Sequence, residues 1–293
     1  MKIAVIDKKD ITLHIQNDTI KVDTQTIPLH LIDLLILNHR INLQTSDLLK
    51  MTKNDVALLV VSHDNKNISI LHSANPKNAA LKLAQYRSLK NRLNFAKYFL
   101  SQKIITHQKQ LLSFGVELNI SEAIMQLNTA TTIETLLGIE GSFAREYFEH
   151  YFLQIPKRYH KQKRSKQPPL DPVNALLSYW YSLYYHIISV ELLSYGFEPS
   201  IGYLHSAYRS HNALASDVLE IFRSSINQAV AGVFLNDTLK MEDFSKKGGV
   251  YLKYSGRKKV WSEFVALVQV LKPELMKTIA TLRRMIDETA SDS

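Results

Sequence analysis

The sequence predicts an α+β chain, a small N-terminal β domain followed by a larger, mainly α-helical domain. Three observations carry this reading. Up to about His72 apolar residues recur at every second position in short runs, as in Ile11-Thr12-Leu13-His14-Ile15, the period of half-buried strands. From about Ala79 the period lengthens to three and four, which is helical. The chain, at 293 residues, also exceeds the usual size of a single domain. The expected division is a β domain over residues 1–73, a linker over 74–78 and a helical domain over 79–293.

In chain order, Ile3 with Val5, Ile11 to Ile15, and Ile20 with Val22 read as strands, and Asn17-Asp18 as a hairpin turn. Thr45 or Ser46 can cap a short helix through Lys50, and Val56–Val61 and Ile68–Leu71 read as two more strands. This stretch has no Phe, Tyr or Trp to stack on bases, so its expected role is assembly, as part of a homodimer. Asn75 suits an N-cap and Pro76 a first helical position. Ala79–Gln102 then reads as one helix, with Arg87, Lys90 and Lys97 on a solvated side.

Thr132–Gln154 reads as a helix whose apolar face runs through Ile133, Leu136, Leu137, Ala144, Tyr147, Phe148 and Tyr151. Lys157–Lys166 holds six Lys/Arg and no acid, and Pro168-Pro169 follows, so it reads as a loop or mobile connection. Asp171 or Asn174 starts an aromatic helix that Gly196 and Pro199 end. Its first part, Pro172–Val190, lacks Asp, Glu, Lys and Arg; with Asn174, His186 and four tyrosines it reads as a buried helix, not a membrane span. A helix over 212–235, a hairpin around Val250–Tyr254 beside Arg257, Lys258 and Lys259, and a last helix over Trp261–Glu288 complete the chain.

The composition narrows the chemistry. There is no cysteine, which excludes disulfides, thiolate metal sites and cysteine nucleophiles and fits a reducing cytoplasm. The N-terminus shows no apolar run long enough for a signal peptide. Net charge is +9, placed unevenly: residues 78–293 hold 27 Lys/Arg against 19 Asp/Glu, while 1–77 hold 9 against 8. A basic helical part suits a polyanionic partner such as nucleic acid. No P-loop, dinucleotide-binding glycine fingerprint or zinc spacing is present.

One constellation stands out. Asp217 and Glu220 lie three residues apart on a helix and so share a face, and His205 precedes them in a loop. Glu140 falls inside an apolar stripe, four residues after Leu136 and four before Ala144, with Gly141 beside it leaving room for close approach. A carboxylate there costs several kcal/mol unless paired or coordinated. It either reaches the helix edge to meet a base such as Arg145 or joins His205 and the two acids around a divalent cation.

The strings GIEGSFAREYF (Gly138–Phe148), PPLDPVNALLSYWYSL (Pro168–Leu183), and GYLH with SDVLEIFR resemble the signature blocks of the CRISPR-associated protein one family, the endonuclease/integrases of spacer acquisition. The resemblance spans nearly the whole chain. It implies Glu140, His205 and Glu220 as ligands of Mg²⁺ or Mn²⁺, Asp217 as an accessory catalytic acid, and Asn174 and Tyr181 as supports behind them. It implies DNA as substrate, with Arg145, Lys157, Arg158, Lys161, Lys163, Arg164, Lys166, Arg257, Lys258 and Lys259 as candidate DNA contacts. It further implies a homodimer that partners with the CRISPR-associated protein two dimer. The alternatives are a transposon-borne relative that integrates mobile-element ends, and a non-catalytic DNA-binding scaffold.

Overall fold

Leu34-Leu35-Ile36-Leu37 are all buried, odd and even positions alike. That is the demand a strand inside a parallel sheet makes, covered on both faces. A search for alternation passes over such a run. The computed structural model describes all residues except 1, 9, 39–40, 63–67, 74–77, 207–210 and 292–293. Two units divide it: Met1–Pro76 with Val268–Lys272, and Lys77–Leu267 with Pro273–Ser293.

The first unit contains β1 (Ile3–Asp7), β2 (Ile11–Thr12), β3 (His14–Gln16), β4 (Thr19–Val22), β5 (Gln25–Pro28), β6 (Leu34–Asn38), β7 (Ile41–Asn42), α1 (Thr45–Lys53), β8 (Ala57–Val61) and β9 (Ile68–Leu71). The order β1-β6-β8-β9 forms one sheet, with β1 and β8 both parallel to β6 and β9 antiparallel to β8. A meander β3-β4-β5 forms a second. Asn17 and Asp18 turn β3 into β4 with φ of 49° and 51°, the left-handed pair a tight hairpin needs. The short helix is capped by Gln44 and not by Thr45 or Ser46, with Asp47 turning back to accept from the Gln44 amide, and it runs on to Lys53. Asp47 also accepts from the Ile15 amide at 3.1 Å, tying α1 to β3.

The second unit contains α2 (Ala79–Ser88), α3 (Arg92–Leu112), α4 (Ser121–Thr129), α5 (Ile133–Leu153), α6 (Pro172–Ser194), α7 (Ala213–Leu235), the hairpin β10 (Phe244–Lys246) with β11 (Val250–Leu252), and α8 (Tyr254–Ser291) apart from its residues Val268–Lys272. The helix expected over Ala79–Gln102 is two helices separated by a 3₁₀ turn at Leu89–Asn91. The expected cap at Asn75 and Pro76 lies outside the described residues; the cap of α2 is Asn78, whose side chain accepts from the Leu81 amide. The last helix starts at Tyr254, so Arg257, Lys258 and Lys259 sit in its first turns, directly after the hairpin β10–β11 as expected.

At the centre is α7, buried on every side from Ala213 to Phe222 and packed against α3 and α6. The aromatic helix α6 is buried as expected; no helix is long and apolar enough to cross a membrane among the described residues. Trp180 is fully buried and tilts against Phe264 of α8 at 5.5 Å between ring centroids. Truncating it to alanine would cost about 3–5 kcal/mol.

Candidate active site

Two helices each carry one misfit on an apolar face. On α5 the buried line runs Leu136, Phe143, Tyr147, Tyr151, and Glu140 interrupts it between Leu136 and Phe143. Leu137, expected in that stripe, is 45% exposed. On α3 the line runs Phe95, Phe99, Lys103, His107, Leu111, and Lys103 is the interruption. The fold brings the two misfits together: Lys103 Nζ donates to Glu140 Oε1. It also lies 2.6 Å from Glu220 Oε2 of α7. Glu140 therefore pairs neither with Arg145 nor at the helix edge; its partner is a lysine buried between two carboxylates.

Glu220 is buried on the inner face of α7, where Arg223 Nε meets its Oε1 at 2.9 Å. Burial works against its charge, but Arg223 and Lys103 outweigh that and hold its carboxyl well below the usual range. Burial likewise opposes the charge on Lys103, and Glu220 and Glu140 more than restore it. Glu220 Oε2 faces Lys103 at 2.6 Å, and a carboxylate oxygen so placed keeps a second lone pair.

Asp217, one turn earlier on α7, does not point at the same spot as Glu220. It is fully buried, accepts from the backbone amides of Tyr203 at 2.6 Å, Leu204 at 3.0 Å and His205 at 2.8 Å, and meets His205 Nδ1 at 2.7 Å. An ionised carboxylate only accepts, so Nδ1 carries the proton and Nε2 is left to face the site. Nε2 lies 4.0 Å from Glu220 Oε1. Asp217 thus stands beside the candidate ligands, holding the loop and the His205 ring from behind, and it is not among the residues that line the cavity. Gly202 makes this possible, since a Cβ there would stand 2.8 Å from the Ala213 backbone and 2.9 Å from Asp217 Oδ2.

Lys103, Glu140, His205 and Glu220 line a cavity of about 660 Å³. Arg145, Lys163, Arg164, Lys166 and Arg223 line it too, with Tyr181 and Gly141. A Cβ on Gly141 would meet nothing within 4 Å, so the room it leaves belongs to the cavity and not to a packed neighbour. The basic segment is a loop after a 3₁₀ turn at Lys157–Tyr159, and side-chain hydrogen bonds anchor it. Asn174 accepts from Arg164 Nη1 at 2.9 Å and the Ser165 amide at 3.1 Å, and donates to the Lys163 carbonyl and to Asp171, the N-cap of α6. Arg164 also reaches Ser178 Oγ at 3.1 Å, and burial lowers its pKa. Asn174 thus supports the basic wall from behind and not the carboxylates.

Tyr181 lies under the Arg223 guanidinium, 4.5 Å from its ring centroid, and donates to Asn227 Oδ1. The other candidate contacts stand apart from the cavity. Lys157 and Lys161 do not line it. Arg158 pairs with Asp237 at 2.6 Å, Lys259 with Asp243 at 2.9 Å, Lys258 stands over the Tyr254 ring, and Arg257 is 2% exposed. Sequence reasoning missed Lys103 and Arg223. A charge interrupting an apolar line would have found the first, and the i,i+3 spacing from Glu220 the second.

By the chemistry of its donors, though not by their present spacing, this set suits a divalent cation. Two carboxylates and an imidazole with its distal nitrogen held to the site are hard-to-borderline ligands, and Glu220 Oε2 has a lone pair to give. As they lie, no three acidic or histidine side chains among the described residues stand close enough to hold a metal, and Lys103 is the charge between them.

The comparisons agree with this architecture. The family model described as CRISPR associated protein Cas1 matches residues 2–266. The chain belongs to the Cas1 family. It is 30% identical over 292 residues to the CRISPR-associated endonuclease Cas1 1 of Thermodesulfovibrio yellowstonii, covering 92% of each chain. Its fold superposes on a Cas1 protein of Thermotoga maritima with a TM-score of 0.89 at 17% identity, over 98% of this chain and 97% of that one. It also matches a casposase bound to integration product, with a TM-score of 0.85 at 21% identity over 100% and 92% of the two chains. The described Cas1 fold therefore places Glu140, His205 and Glu220 on separate elements, α5, the 203–205 loop and α7, that meet at one cavity.

Proposed function

We propose that this Cas1-family chain is the endonuclease/integrase of CRISPR adaptation, joining short foreign DNA to a repeat array by metal-dependent attack of a DNA 3′-hydroxyl on a phosphodiester. The observation that carries this reading is the convergence of Glu140, Glu220 and His205 Nε2 in one cavity that six Lys and Arg side chains also line. A wall of Lys and Arg draws in phosphates by charge, and acids alone would repel them.

Glu140, Glu220 and His205 would hold Mg²⁺ or Mn²⁺, which supplies Lewis acidity toward the scissile phosphate and the attacking oxygen. Asp217 keeps His205 in the ligating tautomer. Arg223, stacked on Tyr181 and paired to Glu220, presents a guanidinium edge to a phosphate, and Lys163 and Lys166 fix the strand from the basic wall.

Among the described residues, the tyrosines packed against the cavity are poor nucleophiles. Burial drives the phenols of Tyr147, Tyr151 and Tyr181 above their ordinary value, and all three donate or accept within the Asn227 network. The attacking group therefore comes with the substrate: water for cleavage, or a 3′-hydroxyl for joining. Direct attack by that hydroxyl makes one phosphodiester as another breaks, so ATP is not required. The test uses full-length protein on branched DNA in Mg²⁺. Glu140→Gln and His205→Ala should each abolish cleavage while keeping the parental melting temperature and circular dichroism. Either variant cutting at the parental rate overturns this site.

A further inference from the structure

The cation at the middle of this site belongs to the protein. Lys103 comes from α3, an element that contributes none of the three proposed ligands, and its side chain is only 7% exposed. Its ammonium donates to Glu140 and lies 2.6 Å from Glu220, so it stands where the two carboxylates share a positive charge. The α3 backbone around it is fixed: His107 Nδ1 donates to the Lys103 carbonyl at 2.7 Å, and Thr106 Oγ1 reaches both Lys103 O and Ile221 O of α7. A buried Glu220 and a half-buried Glu140 sharing one ammonium would repel without that charge between them. Lys103 also lines the cavity, so its flexible stem gives the ammonium a way out toward any phosphate that enters.

We infer that Lys103 is a resident counter-ion that keeps the metal site closed in the absence of DNA, and that its ammonium transfers to a substrate phosphate when the site opens. This rests on the metal-site reading above. The lysine has to leave the Glu140–Glu220 gap before those carboxylates can close on a divalent cation. The two positive charges thus compete for the same acids, and a phosphate in the cavity relieves the competition by giving the ammonium a new partner. Metal and DNA then strengthen each other's binding, reciprocally, through one side chain.

The experiment measures Mn²⁺ affinity from the free Mn²⁺ paramagnetic resonance signal, with full-length protein, with and without a DNA duplex. Lys103→Met should bind Mn²⁺ roughly tenfold or more tightly than the parent without DNA, within the usual range of such couplings, and the gap should shrink once DNA is added. Lys103→Met binding Mn²⁺ equally or more weakly overturns the inference while leaving the metal site standing. Mn²⁺ binding by neither protein overturns both. A second measurement needs no variant: amine-reactive labelling of the parent, read by mass spectrometry at Lys103 with and without Mn²⁺. Labelling should rise with Mn²⁺ as the ammonium leaves its buried pocket. Unchanged or lower labelling contradicts the inference, and a lysine serving only to hold the helices together would give that result.

Discussion

Asp217 commits both oxygens to three amides and one imidazole, which makes it a sharper probe than the ligands themselves. Asp217→Asn puts an amide donor against donors in a sealed space, so it should cost about 1–3 kcal/mol of stability and release the His205 tautomer as well. His205→Ala should leave the melting temperature almost unchanged. Paired thermal melts of the two variants check this; equal losses would mean that Asp217 is no anchor. Gly202→Ala should resemble Asp217→Asn, since its Cβ would press on the same carboxylate. At this scale the sequence was half legible. Glu140 announced itself by breaking an apolar stripe, but its partner was a second break, Lys103, on a helix far away in sequence. Asp217 and Glu220 share a helical spacing that says nothing of which neighbour each meets. Only the loop folded over Asp217 separates their roles.

On the scale of elements, the cavity wall yields two predictions. Gly141 faces open space on α5, so Gly141→Leu should raise helix stability by up to about 1 kcal/mol while filling the substrate cavity. A variant that melts no lower yet binds DNA poorly is the expected result, and unimpaired binding would mean that the cavity is not the DNA path. Neutralising Lys163, Lys166 or Arg145 should lower the log–log salt slope of DNA binding by about one per contact. Arg158 and Lys259, already paired with Asp237 and Asp243, should leave that slope unchanged. The basic run looked like a uniform patch in the sequence because composition does not reveal anchorage. Asn174 and Asp171, themselves readable only as a helix start, fix Arg164 as a structural cation and leave Lys163 and Lys166 to the cavity.

For the molecule as a whole, the helical unit should be acid-sensitive. Burial, with Lys103 adding to it, lowers His107 from its ordinary value to about 3, and burial lowers His186 to about 4. Between those values and about 6.5 the unfolded chain binds the extra protons, so stability falls as pH drops through that window, by up to about 1.4 kcal/mol per pH unit for each histidine. Melting temperatures from pH 7 to 4 should show this slope, and His107→Gln should flatten it; an unchanged slope would count against a neutral buried His107. The two-part α+β plan was legible from the change of hydrophobic period, whereas the parallel sheet was not, because its inner strand β6 is apolar and buried at four successive positions, Leu34–Leu37, and carries no alternation. The proposed homodimer, built through the N-terminal unit, should sediment as a dimer at micromolar concentration, and a monomer would contradict it. The most direct test of strand transfer offers duplexes with ordinary or 3′-deoxy ends to a plasmid carrying the cognate repeat array, with Mg²⁺ and the CRISPR-associated protein two dimer supplied. Joining only from ends that carry the hydroxyl, and none with Glu140→Gln, is the predicted result. Equal joining from 3′-deoxy ends, or DNA left covalently on the protein after denaturation, would contradict it.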